Sequence, residues 1–274
     1  MTWETLTFER PEPRIGLVTF NRPKAANAMN QHMLAELREV CGEIRGDAGL
    51  RAVVVTGAGK VFSSGFDLKA QAAAMPQGVK EWTPVLEADF EGIMSFWNLP
   101  IPTIAAVNGP ALAGGFELMM GCDLALSVPS ATFGEPELKF GAGIVAMLLP
   151  WYVTPKIAKG VIFTGEDGIT AAQALDWGLI NRIVEPDSLM DEAMALAAKL
   201  ARLDPMVMRR TKETMHRTYE LMGMQNALRA ALDADILIEG EGTDLKRGFL
   251  KVLREQGLGS ALAWRESRMG DDAR

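Results

Sequence analysis

Thr103-Ile-Ala-Ala-Val-Asn-Gly-Pro-Ala-Leu-Ala-Gly-Gly-Phe-Glu117 contains an apolar run, a glycine–proline break, a glycine pair and then one acid. Thr103–Val107 does not alternate between apolar and polar residues, which is the pattern of a parallel strand buried on both faces. Gly114-Gly115 marks a turn, and a short helix carrying Glu117 is expected after it. Ala52-Val-Val-Val-Thr56 is a strand of the same kind and runs into Gly57-Ala-Gly-Lys60 and Phe62-Ser-Ser-Gly-Phe66. A third strand is expected over Leu124–Val128. Strands alternating with helices predict an α/β fold with parallel pairing and right-handed crossovers.

Outward from these strands, Thr5–Glu9 and Ile15–Phe20 predict an N-terminal hairpin joined by Arg10-Pro-Glu-Pro-Arg14. Asn30 is placed to cap a helix, with Met33, Leu34, Leu37, Val40, Cys41 and Ile44 at helical spacing. Thr83-Pro84 predicts the start of another helix, which carries Val85, Leu86, Phe90, Ile93, Met94 and Trp97. From Ser188, read with Asp191 as a capping box, successive helices are expected to about Arg268. No linker or low-complexity tract interrupts the 274 residues. The expected organisation is an α/β core over residues 1–200 and a helical C-terminal region over 201–274.

The net charge of −7 is a poor match for nucleic-acid phosphates, so no nucleic-acid partner is expected. The N-terminal residues have no basic start followed by an apolar run. The most apolar stretch, Ile93 to Cys122, is broken by Pro100, Pro102, Asn108 and Pro110. A soluble, cytoplasmic protein without a membrane partner is the expectation. Cys41 and Cys122 form neither a disulfide framework nor a metal-ligand spacing.

Between Glu91 and Asp123 lie 31 residues, and Glu117 is the only charged one among them. A lone carboxyl in an apolar segment is costly to bury ionised, so its pKa should rise. It is either a satisfied core glutamate or a functional acid. Gly114 would place a backbone N–H at the start of the Glu117 helix, where negative charge is favoured. Ser63-Ser64-Gly65-Phe66 likewise follows a buried parallel strand, beyond whose carboxyl end ligands bind in such sheets. Two converging turns of this kind could donate two N–H groups to one oxygen; by spacing alone they read as ordinary tight turns. Glu135 and Glu137, in Phe133-Gly-Glu-Pro-Glu137, read as solvated loop acids.

Other motifs fail on inspection. Gly57-Ala-Gly-Lys60 has Val54 and Val61 where a phosphate loop needs glycine and Ser/Thr. Gly141-Ala-Gly143 has no clear strand before it, as a dinucleotide site requires. His32 and His216 read as structural or exposed.

In combination and order, the motifs resemble the crotonase superfamily, the enoyl-CoA hydratase/isomerase family, over roughly Leu6 to Lys212. Asn21-Arg-Pro-Lys-Ala-Ala-Asn-Ala28 resembles its early CoA-binding turn. Phe62-Ser-Ser-Gly-Phe-Asp67-Leu68 and Asn108–Leu118 resemble its two oxyanion loops, and Phe133–Glu137 the segment with its second catalytic glutamate. The resemblance implies a spiral of ββα units and a helical C-terminal region that builds a homotrimer or a dimer of trimers. It implies oxyanion donors at the N–H groups of Phe66 and Gly114. It implies Glu117 and Glu137 as catalytic acids, with CoA near Lys24, Ala26, Ser64, Asp67 and Leu68. The implied activity is hydration of an enoyl-CoA thioester, with no metal and no cofactor beyond the CoA of the substrate. Isomerase, hydrolase or ring-modifying chemistry, and a non-enzymatic scaffold or RNA-binding role, are the alternatives. Phe66 and Phe116 are bulkier than is common in the family and suggest a reshaped acyl pocket.

Overall fold

A computed structural model describes residues 3–271. Residues 1–2 and 272–274, the outer ends of the expected core and helical region, lie outside the described residues. β1 (Leu6–Glu12) and β2 (Ile15–Phe20) form the antiparallel hairpin. The turn is tighter than expected: β1 continues past an irregularity between Glu9 and Glu12 and leaves only Pro13 and Arg14 between the strands. Pro11 is tolerated within β1 because β1 is the sheet edge. α1 (Gln31–Gly46) is capped by Asn30, whose side chain accepts the Met33 N–H at 2.9 Å, and its apolar stripe is buried.

β3 (Ala52–Gly57) is buried at every residue. It is followed by α2 (Leu68–Ala74) and α3 (Gly78–Ile93). α3 begins at Gly78 rather than Thr83, and Pro84 lies inside it. An interior proline forfeits one helix hydrogen bond. Here the Glu81 carboxylate accepts the Gln77 N–H at 2.8 Å, and burial of Trp82, Leu86, Phe90 and Ile93 offsets the loss.

β4 (Thr103–Val107), β5 (Ala111–Leu112), α4 (Gly114–Met120) and β6 (Leu124–Ser127) form the next turn of chain. After it come β7 (Thr132–Gly134), α5 (Leu149–Tyr152), α6 (Pro155–Thr164), β8 (Ile169–Thr170), α7 (Ala171–Asp176), β9 (Arg182–Ile183) and α8 (Leu189–Ala201). Ser188 makes no capping box. It ends a 3-10 turn with its backbone already helical (φ −106°, ψ −6°), and its side chain caps nothing.

The large sheet runs β1-β2-β3-β4-β6-β9, parallel from β2 onward, and a small sheet runs β5-β7-β8. Successive turns of chain feed one strand to each sheet, which makes the fold a crotonase-like α/β spiral of ββα units.

α9 (Pro205–Leu221), α10 (Met224–Glu241), α11 (Asp244–Gln256) and α12 (Leu258–Asp271) close the chain. α10 packs on α3, and its Met224, Leu228, Leu232 and Ile236 join the main core. Phe249 and Leu253 of α11 and Ala261 of α12 form a second cluster with Ala72 of α2. Met206, Leu221, Met222 and Leu237 remain exposed. Among the described residues, no helix is long and apolar enough to cross a membrane.

Candidate active site

β3 and β4 end side by side, and the chain leaving each keeps pairing with the other. The Phe62 N–H donates to the Pro110 carbonyl at 3.0 Å, and the Leu112 N–H donates to the Ser63 carbonyl at 3.0 Å. This brings Gly65 against Ala113 and Gly114. Gly65 has φ +87°, and a Cβ there would lie 2.7 Å from the Ala113 Cβ. A Cβ on Gly114 would lie 2.6 Å from Cε2 of Phe66. Only glycine allows this approach at Gly65.

Phe66 and Gly114 are therefore neighbours across the contact. The Gly65, Asp67, Ala113 and Phe116 N–H groups all have acceptors. The hydrogen bonds among the described residues leave those of Phe66 and Gly114 without one. Gly114 is buried, and unpaired buried N–H groups are rare. Ala113 supports the arrangement with a strained backbone (φ 53°, ψ −136°), a conformation of the kind that concentrates at functional sites.

Glu117 sits one helical turn into α4 and is fully buried. Its Oε1 accepts the Ala146 N–H at 2.8 Å, while its Oε2 is enclosed without a partner. Burial, and then the charge of Glu137, hold its carboxyl well above the usual carboxylate range. Glu137 opens a 3-10 turn over Glu137–Phe140, and its Oε2 is also enclosed without a partner. Burial pushes Glu137 up to about 7, partly offset by its own backbone and by the neighbouring carboxyl of Glu135. Glu117 and Glu137 are thus brought close enough for the charge of Glu137 to raise the Glu117 carboxyl.

The expected CoA-binding residues fall on the rim of the same contact. Lys24 is exposed on a 3-10 turn over Pro23–Ala25, and Ala26 accepts the Ser64 N–H at 3.1 Å. The Asp67 carboxylate is committed to the scaffold: it caps α2 through the Lys69 and Ala70 N–H groups and pairs with Arg22 at 2.9 Å. Leu68 is the first residue of α2. Phe116 belongs to the core. It is fully buried and packs on Phe133, with ring centroids 5.7 Å apart.

Four residues that sequence reasoning missed, or took for loop acids, shape the site. Asn27 is buried, accepts the Arg22 N–H, and donates to the carbonyls of Ala58 (2.9 Å) and Val61 (2.7 Å), clamping the early turn to the first loop. Glu135 is fully buried, not solvated. The charges of Asp235 of α10 and Asp89 of α3 raise the Glu117 pKa further. Burial pushes Asp89 up to about 8 and Asp235 up to about 7. Asn27 lies within the quoted CoA-turn motif, so a signal for it existed; the two aspartates carry none.

The enoyl-CoA hydratase/isomerase family profile matches residues 11–246. A short-chain-enoyl-CoA hydratase of Clostridium acetobutylicum is 38% identical over 233 residues, covering 81% of this chain and 83% of the relative. A carnitinyl-CoA dehydratase of Escherichia coli K12 is 38% identical over 218 residues, covering 77% and 80%. Among solved structures, an enoyl-CoA hydratase/isomerase from Xanthobacter autotrophicus Py2 superposes with a TM-score of 0.95 at 48% identity, covering 97% of this chain and 99% of that one.

Proposed function

The chain belongs to the enoyl-CoA hydratase/isomerase family, whose members are enzymes of acyl-CoA chemistry, and from that premise we propose that it adds water across an α,β-unsaturated acyl-CoA thioester to give a 3-hydroxyacyl-CoA. The observation that carries this reading is the enclosure of two carboxyls, Glu117 and Glu137, beside two unengaged backbone N–H groups.

Attack of water at the β-carbon moves charge onto the thioester oxygen. The N–H groups of Phe66 and Gly114 stabilise that enolate, and each such donor is typically worth about 10²–10³ in rate. Glu117 takes a proton from the attacking water and Glu137 delivers one to the α-carbon. The pair must therefore hold one proton between them, as two coupled buried carboxyls do. A pKa of about 7 suits Glu137 to exchange near neutrality. Lys24, Ala26, Ser64, Asp67 and Leu68 would hold the CoA moiety, the last three through backbone and rim contacts. None of these steps calls for a metal or redox group.

A panel of enoyl-CoA thioesters, followed by loss of the conjugated-thioester absorbance, tests the reading. Hydrated product is expected. Double-bond migration without addition of water would replace hydratase with isomerase. We also propose a homotrimer or dimer of trimers, supported by exposed Met206, Leu221, Met222 and Leu237. A monomer in light scattering at micromolar concentration would overturn that assembly.

A further inference from the structure

Glu135 has no structural partner for its charge. Its backbone is clamped: its N–H donates to the Glu166 carbonyl at 2.9 Å, Gly134 before it has no room for a Cβ against the same carbonyl, and Pro136 follows. The side chain is fully buried, and among the described residues neither carboxyl oxygen receives a hydrogen bond. An ionised carboxylate in that position is prohibitively costly, whereas a protonated one becomes a donor in need of an acceptor.

The surrounding charges are already committed. Lys139, on the Glu137 turn, pairs with Asp167 of the α6–β8 connection at 3.4 Å. Glu166 of that connection uses its carboxylate on the Gly168 N–H. Lys246 of α11 is bound to Glu239 of α10. Glu117 of α4, Asp235 of α10 and Asp89 of α3 are acids. The neighbouring carboxyl is that of Glu137, two residues on, whose Oε2 is likewise enclosed without a partner and whose charge acts on Glu135.

We propose that Glu135 keeps its own proton at neutral pH and, as a positioning residue, donates a hydrogen bond to the Glu137 carboxylate that forms when Glu137 gives its proton to the α-carbon; this rests on the reading of Glu137 as an acid–base group. The electrostatics run the same way. Burial, then the charges of Glu137 and Glu117, hold Glu135 well above the usual range, while Glu135 lowers Glu137. Two adjacent buried carboxyls sharing one proton is a general device for separating an acid from its neighbour.

Glu135→Gln and Glu135→Met test it together. Glutamine still donates and cannot ionise; methionine does neither. In hydration Glu137 must hold its proton, so its ionisation sets the alkaline limb of kcat/KM against pH. Glu135→Met should move that limb up by about one unit, the size expected when a donor to a carboxylate is lost, and Glu135→Gln should restore its position. A downward shift in Glu135→Met would mean that Glu135 is ionised. An unmoved limb with a lowered melting temperature in both variants would mean that it is only structural. Either result overturns the proposal. Infrared difference spectra at neutral pH, wild type minus Glu135→Gln, should show the C=O stretch of a protonated carboxyl. Absence of that band refutes the proton assignment. The band is read without turnover, so loss of the hydratase reading and loss of the Glu135 proton are separable.

Discussion

Replacing Gly114 with alanine tests the contact between the two loops proposed to form the oxyanion hole. Gly114 is the first residue of a helix and does not have a left-handed φ, so alanine is acceptable to its backbone. The obstacle is steric. The new Cβ would lie 2.6 Å from Cε2 and 2.9 Å from Cζ of Phe66, and 3.1 Å from Cε of Met29, where ordinary contact starts at 3.4 Å. The Phe66 ring must retreat by about 0.8 Å, and a misplacement near 1 Å at a reacting centre costs about 10²-fold. Because the retreating residue also carries one of the two N–H donors, the loss should fall on kcat. Overpacking of this kind costs about 1–3 kcal/mol of stability, so the melting temperature should fall by a few degrees. Combining Gly114→Ala with Phe66→Ala removes the ring atoms that clash, and turnover should recover to within about fivefold of Phe66→Ala alone, if the pair couples as neighbours in contact do. Steady-state kinetics on an enoyl-CoA substrate, with melting curves and CoA binding as controls, decide it. A Gly114→Ala enzyme with normal kcat, or a double variant as slow as Gly114→Ala, would refute the assignment of this contact to catalysis.

Glu117→Gln and Glu137→Gln should each lower turnover by about 10²–10⁴ with nearly unchanged acyl-CoA affinity, since proton transfer acts in the transition state; full activity in either removes that residue from the mechanism, as measured by kcat and by equilibrium binding of a saturated acyl-CoA. Asp89 bears on stability: held at about 8 when folded against an ordinary 3.8, it keeps a proton that the unfolded chain releases, so its contribution is fully present below about pH 4 and is lost as pH rises through 8. Asp89→Asn keeps a polar group for Gln31, which donates to Asp89 at 2.7 Å. Its advantage over wild type should grow from pH 5 to pH 8.5, with a ceiling of roughly 4 kcal/mol and an expected size on the order of 2 kcal/mol. Urea melts showing an equal change at both pH values would contradict the burial of that charge.

Local pattern was enough for the parts of this protein that depend on neighbouring residues. Ala52–Thr56 and Thr103–Val107 are buried strands because a run without polar residues has no face to offer water. Asn30 caps α1 because its side chain reaches a donor three residues on. Glu117 is legible because it is the only charge in 31 residues. The resemblance of several ordered motifs added the second acid and the two donor positions. Only the tertiary structure decided what arrives from afar. α3 starts before Pro84 because Glu81 and the packing against α10 hold its first turn, and no preference of proline reports that. Phe116 turns into the core because Phe133 is there to meet it. Glu135 differs from a solvated loop acid only through the chain folded over it, and Asp89 and Asp235 join Glu117 from separate helices. A side chain's identity sets which charge it can carry. Whether it carries that charge depends on the water excluded around it, and that exclusion is made by segments remote in sequence.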